Sequence, residues 1–153
     1  MAHYPVNHHL RQPYRGLAAA SGLYLAVAGV IGIVATAGHE FFARDGAGWA
    51  LGVRLNPAGA WVSTLLGLAV LAVAARGGNL HHRVNLVLGW VMLAVAMVML
   101  AMLRTDADVL GFSVATVVVW VVLGLVVLTA ALYGQVGSDE QSHAEQESTL
   151  TTG

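Results

Sequence analysis

Four stretches of this chain carry no charged residue: Leu17 to Ala37, Ala58 to Ala75, Val84 to Leu103 and Leu110 to Tyr133. At about 1.5 Å rise per residue, a helix of about 20 apolar residues crosses a hydrocarbon core of about 30 Å. A soluble fold could not cover these blocks, because only 10% of the chain is charged, against about 25% in ordinary soluble domains. The expected fold is therefore all-α, an integral membrane bundle of four transmembrane helices. The spans are placed at about 17–37, 58–75, 84–103 and 110–133, within a domain over 17–134.

The fourth span contains Val117, Val118, Val119, Val121 and Val122, a run that in water would suit a buried strand. In lipid a lone strand leaves its backbone polar groups unpaired, so the segment is read as helix. Asn56 and Pro57 suit an N-cap and first helical position for the second helix. Thr105, Asp106 and Asp108 are candidate caps for the fourth, and Asp108 is taken as the cap. The triplet Ala35-Thr36-Ala37 has the form of a secretory cleavage site, but the apolar run before it exceeds the 7 to 15 residues typical of a signal peptide. It is read as a span.

The segments between and outside the spans differ in character. Residues 1–16 form a polar arm with His3, His8, His9, Arg11 and Arg15, in which Pro5 and Pro13 discourage continuous helix. The first connection, Gly38 to Asn56, carries Phe41, Phe42 and Trp49, residues suited to the membrane interface. Within it Trp49, Leu51, Val53 and Leu55 alternate like a short strand with no evident partner. Residues 135–153 form an acidic tail with Asp139, Glu140, Glu145 and Glu147, too polar to offset its ordering entropy and expected to be disordered. Orientation follows from arginine placement. Arg11, Arg15, Arg76 and Arg83 flank one side and Arg44, Arg54 and Arg104 the other, so both termini are expected in the cytoplasm.

Lipid tails are as apolar as leucine, so helices associate there through close packing and polar contacts. Small residues at helical spacing mark the packing faces. Gly59, Ser63 and Gly67 form one stripe on the second helix, and Ala18 with Gly22 and Ala28 with Gly32 form another on the first. These stripes are expected to face each other. A homodimer contact through the same pattern is the alternative. Met92, Met97, Met99 and Met102 are read as gap-filling side chains of the third helix.

No span holds an acidic, basic or histidine side chain in its centre, whereas ion pathways and proton relays ordinarily need them. A membrane haem needs histidines on facing helices, but His39 falls at one membrane side and His81 and His82 at the other. His8, His9, His81 and His82 are read as interfacial rather than as a metal site. Glu40, Asp45, Asp106 and Asp108 are read as arginine partners or caps rather than as a calcium site. Asn85 is expected to hydrogen-bond between helices. The chain has no cysteine and all seven of its basic residues are arginine, so thiol chemistry is excluded and nucleic acid is not an expected partner. No phosphate loop, nucleophile elbow or metalloprotease motif occurs. No cofactor and no enzymatic activity are expected.

The arm His3-Tyr4-Pro5-Val6-Asn7-His8-His9-Leu10, then Tyr14-Arg15, the Leu55-Asn56-Pro57 start of the second helix, and Arg104-Thr105-Asp106 through Val109-Leu110-Gly111-Phe112-Ser113 resemble an actinobacterial four-helix membrane family. That family is catalogued only as a domain of unknown function. The resemblance covers Ala2 to Gly137; it implies four spans and a plasma-membrane location, and brings no reaction or site residue. The Ala, Gly, Val, Leu and Arg bias, with no Lys, suits a GC-rich bacterial genome. The expected role is a non-enzymatic accessory or structural membrane component, partnered by the bilayer and by a larger complex or a copy of itself. The alternatives are a small channel or uncoupled carrier, and a lipid-binding or envelope-stress component.

Overall fold

The computed structural model describes residues 10–43 and 45–137. Most of the proposed arm (1–9), Arg44 and the acidic segment 138–153 lie outside the described residues. Four long helices, α1 (Arg11–Ala35), α2 (Pro57–Arg76), α3 (Gly78–Met102) and α4 (Val114–Leu132), form the bundle, with a hairpin of β1 (Gly48–Ala50) and β2 (Val53–Leu55) between α1 and α2. Each helix is long and apolar enough to cross a membrane. The fold is all-α with a minor sheet.

Two helices begin a turn or more before their apolar stretch does. Helix α1 starts at Arg11, because Pro13 falls in its first turn, where a missing N–H costs no helical bond. Helix α3 starts at Gly78, so the expected second loop shrinks to Gly77, at φ 68 and followed by Gly78 at φ 63. A left-handed pair like this is cheap only for glycine. Both extensions lie at the end of the bundle where α1 starts, and six extra residues raise each helix by about 9 Å. We call this the arginine end, for Arg11, Arg15, Arg76 and Arg83. The start of α1 and the end of α4 meet here, where the rings of Tyr14 and Tyr133 stack with centroids 4.7 Å apart.

The packing faces are glycine-lined. A Cβ at Gly67 would stand 2.6 Å from the Gly22 carbonyl, and one at Gly29 would stand 2.7 Å from the Ala60 carbonyl. These two crossings hold α1 against α2. Gly32 faces the Ala60 side chain, and Ala18 and Ala28 are buried. Ser63 is buried and bonds back to the Gly59 carbonyl at 2.8 Å. Gly59 departs from the expected stripe: its α-carbon faces the Leu110 carbonyl, 2.6 Å from an added Cβ, rather than α1. Gly29, outside the expected pairs, takes its place at the crossing. On the other half, Gly89 lies against Leu128 and Gly124 against Met92 and Leu93, joining α3 to α4.

The alternating segment with no evident partner pairs with itself. Trp49 faces Arg54 across the ladder, and Leu51 (φ 49) with Gly52 (φ 86) makes a two-residue turn of the kind that matches strand twist. The hairpin runs back down the bundle. Gly48 sits by Ala35 and Thr36, while the Leu51 carbonyl accepts from the Tyr24 hydroxyl at the middle of α1, 2.8 Å away. Ala50, Val53 and Leu55 are buried, and Trp49 and Leu51 point outward.

Non-helical backbone at this depth must find internal partners. The Thr116 hydroxyl of α4 supplies both for Arg54, accepting from its N–H at 2.7 Å and donating to its carbonyl at 3.0 Å. The Asn56 N–H donates to the Leu110 carbonyl. As an N-cap, Asn56 accepts from the Gly59 N–H at 2.8 Å, with Pro57 at the first helical position. The cap of α4 is Ser113 and not Asp108. Asp108 instead accepts from the Phe112 N–H within the loop, because Gly111 at φ 64 breaks the helix expected from Leu110.

Candidate functional site

Polar side chains within the apolar stretches are mostly consumed by their own helices. The hydroxyls of Ser21, Thr36, Ser63 and Thr64 each donate to the carbonyl four residues earlier, the usual way such groups are satisfied in a helix. The arginine end is different. There the two helical extensions and the short segment after α4 border a half-open chamber of about 240 Å³, lined by Arg11, Gln12, Arg15, Gly78, His81, Gly134 and Val136.

Its walls are fixed by side chains that cap neighbouring helices. Arg15 donates from Nε to the Ala74 carbonyl and from Nη2 to the Ala75 carbonyl, at the C-terminus of α2. A cation there meets the negative end of the helix dipole. His82 does the same for α4: its Nδ1 lies 2.7 Å from the Ala131 carbonyl, and since a carbonyl only accepts, Nδ1 must carry the proton. Asn79 accepts from the Val136 N–H at 3.0 Å and pins the segment after α4. Replacing Arg15 by Gln should cost the folded bundle about 1–2 kcal/mol through the lost cap. Titration with a denaturing detergent, read by circular dichroism, checks this.

Behind the arginines His81 is only 2% exposed. Asn85, expected to reach another helix, bonds instead to His81 one turn away, its Nδ2 lying 2.9 Å from the ring Nδ1. Since Asn85 donates to Nδ1, the neutral ring carries its proton on Nε2. That Nε2 has no hydrogen-bond partner, nor does Asn85 Oδ1; with Trp120 Nε1 they are the three such buried side-chain atoms among the described residues. Two of the three thus belong to this single pair. The ring packs closely on Gly134, where an added Cβ would stand 2.9 Å from Cδ2.

A further set of donors comes from the backbone. Gly77, the N-cap of α3, offers no side chain to the first turn, so the N–H groups of Gly78, Asn79 and Leu80 have no helical acceptor. Among the described residues the chamber is lined by two guanidinium groups, Gly78 at the start of α3 and the His81 ring, and by no carboxylate. Such a set recognises negative charge.

Other expected site residues lie elsewhere. His39 sits at the opposite end, its Nδ1 3.3 Å from the Thr36 carbonyl, and His8 and His9 fall outside the described residues. Among the described residues no three His, Asp or Glu side chains gather as metal ligands. The spacing of His81 and Asn85 by four was visible in the sequence; the arrival of Arg15 beside them required the bundle. No protein-family model, curated protein or solved structure matches the chain.

Proposed function

We propose that the chain is a non-catalytic structural or accessory component of a bacterial plasma membrane, acting through what its arginine end binds. The chamber lining carries this reading: among the described residues it offers donors and positive charge, with no carboxylate or hydroxyl nucleophile beside His81. Such a lining suits holding a ligand, and its described residues bring no acid and base pair together. Membership of the four-helix family that the loops resemble is part of the same proposal.

Placing the arginine end in the cytoplasm, and with it both termini, follows from the four arginines there. Reporter fusions at either end should be active only as cytoplasmic markers. Mild detergent extraction should recover the chain in a stable complex, with a partner or with itself. Recovery as a monodisperse monomer from several detergents overturns the accessory role. Reconstituted vesicles should leak ions and small neutral solutes no faster than empty ones, whereas rapid flux would replace the reading with a channel or carrier.

A further inference from the structure

We propose that His81 is an acid-sensitive latch: its neutral ring holds the segment after α4, Gly134 to Val136, against the arginine end, and protonation of the ring releases it. The latch is independent of what the chamber binds. Neutrality is built into the contact. At 2% exposure the ring receives the Asn85 amide on Nδ1 at 2.9 Å, a bond that uses the lone pair a second proton would occupy. Turning the amide over would let its oxygen accept instead, but would leave the charge in place. A buried charge needs an opposite charge and hydrogen bonds. The charged ring would have an Nε2–H without a partner, and its surroundings are positive. Arg11 and Arg15 on α1 line the same chamber, Arg76 ends α2, and His82 and Arg83 follow on α3; the stacked phenols of Tyr14 and Tyr133 complete the titratable groups described at this end. The four described carboxylates, Glu40, Asp45, Asp106 and Asp108, lie in the loops at the other end.

A protonated ring sheds this cost by reaching water, and the segment after α4 stands in its way. Gly134 packs so closely that an added Cβ would stand 2.9 Å from the ring Cδ2, and the Val136 N–H donates to Asn79 at 3.0 Å. Both contacts lie past the last residue of α4, so lifting the segment leaves the helix intact. The neighbouring His82 is built the opposite way. Its Nδ1 donates to the Ala131 carbonyl, so a second proton keeps that bond and adds positive charge at the C-terminus of α4, where it is favourable. In the extension ahead of the apolar stretch, burial first and then the Arg15 and His82 charges hold His81 below the ordinary histidine range. The sign follows: His81 stabilises the closed segment above the ordinary histidine value, and that stability is lost as pH falls through the lowered one.

The chain has no cysteine, so Gln135→Cys carries a single nitroxide label on the segment, read by electron paramagnetic resonance of the full chain in phosphatidylcholine nanodiscs. Titration from about pH 8 to about pH 4 should take the label from immobile to mobile, with a midpoint below the unperturbed histidine value of about 6.5. His81→Gln, which cannot take up the proton, should hold the label at its high-pH mobility throughout. His82→Gln, whose amide can still donate to Ala131, should keep the transition. Nuclear magnetic resonance of the parent chain with isotope-labelled histidines follows the His81 ring without any substitution there, and its midpoint should coincide with that of the label. A label indifferent to pH, a transition that survives in His81→Gln or is abolished in His82→Gln, or ring and label midpoints more than about one pH unit apart overturns the latch.

Discussion

Gly29→Ala should destabilise the bundle by about 3 kcal/mol, the upper part of the range for overpacking a tight core. The added methyl carbon would stand 2.5 Å from the Thr64 backbone nitrogen and 2.7 Å from the Ala60 carbonyl oxygen. Neither can swing aside, because both belong to the helix backbone. The Thr64 side chain is no softer, since its hydroxyl is bonded to Ala60 at 2.9 Å. Only a shift of α1 away from α2 would relieve the clash, and that would loosen the Gly22 and Gly67 crossing as well. In lipid no hydrophobic pressure restores the contact, so close approach is the main source of cohesion. Gly67→Ala should behave alike. The control is Gly16→Ala, where an added Cβ meets nothing within 4 Å and the helix gains about 0.5–1 kcal/mol from the lost glycine. Denaturing-detergent titration of the three variants checks the order, and a Gly29→Ala protein as stable as the parent would refute this account of the α1 and α2 contact.

The four spans were legible because absence of charge over helical length is a strong signal, and each observed helix contains most of its expected stretch. The boundaries were less so, for reasons that differ by position. Arg11 to Arg15 and Gly78 to Arg83 are polar, and polarity alone does not separate a loop from a helix that has emerged from the bilayer. Leu110 to Phe112 is apolar and reads as helix, yet Gly111 turns it and the Leu110 carbonyl is committed to Asn56. The hairpin carried its own signal in Leu51-Gly52 between alternating residues, but a span count treats everything between helices as surface loop. The small-residue pattern identified the packing helices and left the register open by a turn, which is why Gly29 was missed and Gly59 misplaced. In the chamber, His81 and Asn85 sit four apart on one helix and were open to inference. Arg15 and His82 act on the carbonyl ends of other helices, and no local pattern encodes which helix end will lie beside them.

Thr116→Val should cost a comparable amount, about 3 kcal/mol, by a different route. The substitution keeps the shape of a side chain that is fully buried and removes only the hydroxyl, which serves Arg54 and also bonds the Ser113 hydroxyl 3.0 Å away. The Arg54 N–H and carbonyl on the outer edge of β2 would then both lose their partner, and each unsatisfied buried group costs about 1–3 kcal/mol. Within hydrocarbon no water would replace the lost partner, so there the strand edge must either remain unpaired or pull out of the bundle. The loss should appear locally before it appears globally: amide exchange at Arg54 and Val53 should accelerate while the α3 amides stay protected. Thr116→Ser keeps the hydroxyl and should retain most of the stability. Tyr24→Phe, which removes one bond to the Leu51 carbonyl, should cost about 1 kcal/mol. If Thr116→Val left hairpin exchange unchanged, the hydroxyl would not be what holds β2 inside the bundle, and the depth of the hairpin would need another cause.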